Sequence, residues 1–131
     1  MTKEKWILGL GAIFGALAVI FGAFGAHALK AQITPDRLEI YQLGVSYQYY
    51  HALALLATGI WARLAAAPAL KWAGISFAMG ILLFSGSLYL LALRDLLGIS
   101  GSLLAVIGPL TPIGGLFFIG GWSILAIKAF K

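Results

Sequence analysis

The sequence predicts an all-α polytopic membrane protein: one domain over 1–131, with four transmembrane helices at about 6–29, 35–67, 72–94 and 109–129, the second carrying an interfacial extension. Three observations predict it. Hydrophobic residues make up 62% of the chain and charged residues 10%, whereas soluble domains average about 25% charged residues. A soluble chain of this length has too much surface to cover with so few charges. The apolar residues fall in four blocks, Trp6–Leu29, Tyr50–Ala67, Trp72–Leu93 and Pro109–Ala129, each close to the roughly 20 residues that a span requires. The charged residues stand at the ends of those blocks, where they anchor a helix and set its direction.

The first predicted helix opens at Trp6, an aromatic suited to headgroup level. Gly11, Gly15, Ala18, Gly22 and Gly25 follow at helical spacing, within a sector of roughly 80°. Such a stripe lets two backbones approach closely. Its partner, another helix of the chain or a second copy, stays open at this level. Lys3 and Lys5 before an apolar run, with Ala26-His27-Ala28 after it, have the outline of a cleavable leader. The apolar run of about 20 residues exceeds the usual 7–15 of such leaders, and a retained span is the expectation.

Thr34-Pro35-Asp36 is a strong helix start: a capping hydroxyl, a proline suited to the first helical position and an acid at the positive end of the dipole. The helix it opens runs to Ala67, with Pro68 as its terminator. That is about 50 Å of helix against a hydrocarbon core of about 30 Å, so the surplus lies in the interface. Arg37, Tyr41, Gly44, Tyr47, Gln48, His51 and Thr58 share one face, and a polar stripe in an apolar protein should face protein or water.

The third helix is framed by Arg63 and Lys71 before it and by Arg94-Asp95 after it. Ser76, Gly80 and Ser87 line one side, and Ser85-Gly86-Ser87 is a small polar patch, read as serines bonded to their own backbone. Residues 96–110 are apolar yet interrupted by Gly98, Gly101, Gly108 and Pro109, which reads as a connector that lies in the outer interface or packs over the helix ends. Thr111-Pro112 repeats the signal of Thr34-Pro35 and places the start of the last helix at 109 or 112. Gly114-Gly115 and Gly120-Gly121 mark tight packing within it.

With four spans, Lys3, Lys5, Arg63, Lys71, Lys128 and Lys131 share one side and Lys30, Arg37 and Arg94 the other. The excess of Lys and Arg puts both termini in the cytoplasm. The formal charge of +5 sits at helix ends and not on one polar face, so nucleic acid is excluded as a partner.

The absence of cysteine excludes thiolate metal sites and cysteine nucleophiles. A haem held by His27 and His51 needs both rings at one depth. His27 lies about 31 Å up its helix, and His51 only about 18–21 Å above the end of the next. Zinc lacks ligands. A triad of Ser85 or Ser87 with His51 and Asp95 has no supporting local signature, and no carboxylate or lysine lies mid-span for an ion path. No catalytic residue, metal or cofactor is therefore expected. The candidate ligand or helix-contact face is His27, Arg37, Tyr41, Tyr47, Gln48, His51, Ser85, Ser87 and Arg94, and the packing positions are Gly11, Gly15, Gly22, Gly25, Gly80, Gly114 and Gly121. The expected role is a non-enzymatic structural or accessory subunit among membrane lipids, in a homo-oligomer or a larger complex. The alternative is a binder or carrier of a small amphiphile, a lipid or quinone, in an outer-leaflet groove near His51.

Several segments together resemble a known family: GAFGAHALK at 22–30, YQYYHALALL at 47–56, LFSGSLYLLAL at 83–93, LTPIGG at 110–115 and Gly121-Trp122. They look like the YgdD/YwdK family of small multi-pass inner-membrane proteins, built around domain of unknown function 423. The resemblance covers nearly the whole chain. It departs at Ala105–Pro109, where a proline is added. It implies a four-helix fold in a bacterial inner membrane and carries over no activity and no catalytic residue.

Overall fold

The computed structural model describes residues 4–131, so Lys3, counted above in the basic flank, lies outside the described residues. All regular structure among them is helical. Helix α1 spans Lys5–His27 and is followed by a 3-10 turn at Leu29–Ala31. Helix α2 spans Pro35–Leu64. Helices α3, Pro68–Gly80, and α4, Gly86–Ala92, form one column joined by a π-helical turn at Ile81–Ser85. A short α5, Arg94–Leu97, leads to α6, Gly101–Phe130.

Three stretches are long and apolar enough to cross a membrane: Lys5–Ala31, Pro68–Ala92 and Gly101–Phe130. Helix α2 is long enough but not apolar enough to join them, because one of its faces is polar. The exposed surface is rich in large apolar side chains, among them Ile20, Leu53, Leu82, Leu116 and Ile119, while Gln48, His51, Thr58, Ser85 and Ser87 are buried. Polar groups inside and apolar groups outside is the arrangement that hydrocarbon demands.

Helices α1 and α2 form an antiparallel hairpin whose seam is the glycine stripe. A Cβ at Gly11 would lie 3.0 Å from the Leu56 side chain, one at Gly22 3.5 Å from Val45, and one at Gly25 2.5 Å from the Tyr41 ring. Gly15 faces Ala52. The partner left open by the sequence is thus α2 of the same chain. The column α3–α4 and helix α6 are antiparallel in the same manner. Phe77 packs on Gly121, Phe118 on Gly80 and Phe84 on Gly114, and Ser87 meets Thr111 further along. Ile7 of α1, Ala54 and Leu55 of α2, Ala73 and Phe77 of α3, and Phe118 of α6 close the core between the two pairs.

Several boundaries differ from the sequence reading, which ended the first helix at 29 and began the third at 72, whereas α1 ends at His27 and α3 begins at Pro68. Helix α2 ends at Leu64, and Pro68 is the first residue of α3 rather than the terminator of α2. Proline fits either role, since its missing N–H is unneeded at a first helical position. The column α3–α4 ends at Ala92, before Arg94. The last helix begins at Gly101, not at 109 or 112, and holds Pro109 and Pro112 inside it. The expected connector over 96–110 shrinks to α5 and a turn. Gly98 closes α5 with a left-handed backbone, φ 68°, a conformation that glycine adopts without steric penalty. Thr34 caps α2 as expected, accepting from the Arg37 N–H at 3.3 Å. Thr111, in the same dipeptide, instead bonds Ser87 at 2.6 Å. A membrane helix tolerates proline when neighbouring groups compensate for the lost backbone bond, and Gly108 before Pro109 removes the Cβ that would crowd the ring.

Candidate functional site

The polar face of α2 is turned into the bundle, with Tyr41, Gly44, Gln48, His51 and Thr58 buried. Each of the buried polar side chains on it finds a partner. The Tyr41 hydroxyl donates to the Phe21 carbonyl of α1 at 2.6 Å. The Gln48 amide donates to the Phe14 carbonyl at 2.9 Å, and its oxygen accepts from the Tyr89 hydroxyl at 2.6 Å. Gln48 therefore ties α1, α2 and α4 at one level. Ser85, carried inward by the π-helical turn, donates to the Gly44 carbonyl at 2.7 Å, where a Cβ at Gly44 would meet the Tyr89 ring at 2.8 Å. Thr58 donates back to Ala54 at 2.7 Å.

His51 is the buried imidazole of this face. It stacks on Phe118 of α6 with centroids 3.5 Å apart and planes 8° from parallel. Its Nδ1 lies 2.7 Å from the Tyr47 carbonyl and its Nε2 3.1 Å from the Trp122 indole N–H. An indole N–H only donates, so Nε2 must accept, and Nδ1 must hold the proton given to Tyr47. That is a neutral imidazole with both nitrogens engaged. Its one in-plane lone pair, on Nε2, is already engaged by Trp122, and neither nitrogen is bonded to a serine. Tyr47 packs on Phe84 and Phe118 beside it.

The structure does not assemble the remaining candidates into one site with His51. His27 stands exposed at the end of α1, between about three and four turns beyond the level where Gln48 meets Phe14. Ser87 donates to the Phe84 carbonyl at 2.9 Å and accepts from Thr111. It is thus bonded to its own backbone, as expected, and also to α6. Ser85 departs from that expectation, since its partner belongs to α2. Arg37 pairs with Asp95 at 2.7 Å, at the end of the bundle away from His51, with side-chain exposures of 21% and 74%. The Ser–His–Asp arrangement that the sequence reading set aside is not assembled either: Asp95 pairs with Arg37 away from His51, and both ring nitrogens of the histidine are engaged. Arg94 starts α5 beside that pair. Among the described residues no group of three or more His, Cys, Asp or Glu could hold a metal ion. With Asp95 so exposed, Asp95→Asn is expected to shift the thermal midpoint by an amount worth well under about 1 kcal/mol, an effect that fades in high salt. A salt-insensitive loss of several kcal/mol would show instead that the pair clamps α5.

An open apolar cleft of about 200 Å³ lies near this end, lined by Phe21, Phe24, Tyr41, Tyr89 and Leu93. Neither His51, beside which a groove was expected, nor His27, Tyr47 or Gln48 lines it. The partners that the sequence reading missed are Tyr89, Thr111, Phe118 and Trp122. They lie 24 to 71 residues from the groups they engage, and no local pattern announces them.

These features define a small all-helical membrane protein with a polar interior bonded across helices. A family model described as a protein of unknown function, DUF423, matches residues 21–115. A UPF0382 membrane protein of Staphylococcus saprophyticus is 42% identical over 127 residues, covering 97% of this chain and 98% of its own. The UPF0382 membrane protein YwdK of Bacillus subtilis is 39% identical over 128 residues, covering 97% and 98%. The UPF0382 inner membrane protein YgdD of Escherichia coli is 34% identical over 128 residues, covering 98% and 92%. The chain belongs to the DUF423 family of membrane proteins. No solved structure matches it.

Proposed function

We propose that this protein is a four-span integral protein of the bacterial cytoplasmic membrane, both termini in the cytoplasm, acting as a non-enzymatic structural or accessory subunit. The observation that carries the reading is that Tyr41, Gln48, His51, Ser85 and Ser87 are all committed to bonds that hold helices in place. Side chains so engaged serve packing rather than turnover. The fourth span is α2. Its low average apolarity comes partly from buried Tyr41, Gln48, His51 and Thr58 and partly from exposed polar residues toward its ends, Asp36, Glu39, Gln42 and Arg63, while Leu43, Tyr50, Leu53, Ile60 and Leu64 are exposed along its outer side. The relative named an inner membrane protein and the basic flanks favour that membrane and that orientation.

Assembly into a homo-oligomer or larger complex belongs to the same reading, but the glycine seams no longer argue for it, since they are filled by helices of one chain. Association would use the outward side of α6, where Leu116, Ile119 and Ile127 are exposed. The test is a cysteine scan of the cysteine-free chain in intact cells. Single cysteines at Lys30 and Lys131 should be labelled from outside and inside respectively, and cysteines at Leu116 or Ile119 should crosslink to a neighbour. An external Lys131 position would overturn the topology, and monomers alone in both crosslinking and native-lipid mass spectrometry would overturn the subunit role. The second reading, an amphiphile binder, is favoured by the cleft of Phe21, Phe24, Tyr41, Tyr89 and Leu93, which suits an alkyl or isoprenoid chain. Its headgroup would lie toward Arg37 and Arg94.

A further inference from the structure

We propose that the opposite end of the bundle, where α1 starts and α6 ends, carries a site for one anionic phospholipid between α3 and α6. A cleft of about 190 Å³ opens there, lined by Ala69, Ile124, Ile127, Lys128 and Lys131. Its walls are two aliphatic side chains and an alanine, and its charges are two lysines. No acid lines it. Asp36, Glu39 and Asp95 lie at the far end of the bundle, and Glu4, at this end, is not among the lining residues.

The start of α3 bears on the same cleft. Helix α3 begins at Pro68, so Ala69 presents its first turn, and that turn has neither a side-chain cap nor an acidic residue. The negative end of the antiparallel α6 lies beside that turn and offsets its dipole, so the net charge that the cleft presents is that of the two ammonium groups. One negative charge at the mouth with an alkyl chain along Ile124 and Ile127 satisfies both halves of the cleft. A phosphodiester headgroup on an acyl chain has that form. The lysine stems can lie along the apolar wall while their heads reach headgroup level. The lysines thus do more than mark the membrane boundary: they select the charge of the lipid beside α6.

The test is native mass spectrometry of the full chain released from nanodiscs containing equal phosphatidylglycerol and phosphatidylcholine with the same acyl chains. One phosphatidylglycerol should be retained in preference. Lys128→Gln and Lys131→Gln should each lower that retention roughly fivefold, and the pair more. Lys30→Gln, at the other end, should not change it. Lys128→Arg with Lys131→Arg should keep it, which separates loss of charge from loss of fold. Equal retention of the two lipids, an unchanged preference in the double glutamine variant, or displacement of the lipid by millimolar inorganic phosphate would each overturn the proposal.

Discussion

Gly114→Ala is expected to break the seam between the α3–α4 column and α6, whereas Gly115→Ala, one residue on, should be nearly silent. A Cβ at Gly114 would collide with the backbone nitrogen of Phe84 and come within 2.8 Å of its Cα. Backbone cannot rotate away as a side chain can, so the two helices must separate. At Gly115 the same atom meets only the Phe84 ring, at 3.8 Å, an ordinary contact. Overpacking of this kind costs about 1–3 kcal/mol where side chains can yield, and the backbone contact places Gly114→Ala at or above the top of that range. Thermal unfolding in mild detergent, followed by tryptophan fluorescence, checks it. Equal midpoints for the two variants would show that α6 stands further from Phe84 than described.

Gln48→Leu is expected to give the largest loss among the polar positions. The change strands the Tyr89 hydroxyl, which donates to Gln48 at 2.6 Å, and removes the amide bond to the Phe14 carbonyl. An unsatisfied buried group costs about 1–3 kcal/mol, while a single interhelical bond in a membrane protein averages about 0.6 kcal/mol and reaches about 1.7. The asymmetry has a signature in a double-mutant cycle. Tyr89→Phe removes the stranded hydroxyl, so Gln48→Leu in that background should cost less, by about 1 kcal/mol, than in the original chain. Strictly additive losses would mean that the Gln48–Tyr89 bond contributes nothing to stability.

The helical architecture was legible because its signals are periodic or local. Long apolar blocks, small residues at helical spacing and the capping threonine at 34 each act within a turn or two. The polar stripe on α2 was legible for the same reason, since a face is a matter of angle. The failures have one origin. Thr34-Pro35 and Thr111-Pro112 are the same dipeptide, and what separates them is position: α6 already begins at Gly101, so Thr111 stands inside a helix with no free end to cap, and its hydroxyl turns to Ser87 of α4. Pro68 could equally end one helix or begin the next. The candidate face was least legible where its partners lie far along the chain. His27 and His51 were grouped by residue type, but the partners of His51 are Phe118 and Trp122. Only the antiparallel seam of α3 and α6, set by glycines against phenylalanines, brings those rings to it.

The ribosome delivers α1 before α2, and the hairpin they form bears on how such a chain enters a bilayer. Helix α2 alone is a poor candidate for insertion, since an amide, an imidazole and tyrosine hydroxyls would meet hydrocarbon unbonded. Helix α1, apolar and complete in its own backbone bonds, offers what α2 lacks: the Phe14 and Phe21 carbonyls for Gln48 and Tyr41, and a groove of glycines deep enough to bring them within reach. Under the four-span reading, α2 crosses with α1 as its template, and the link from Ala28 to Thr34 need only be long enough to turn the chain around. The glycines of α1 then matter twice, first as an entry guide during synthesis and afterwards as the seam of the finished bundle.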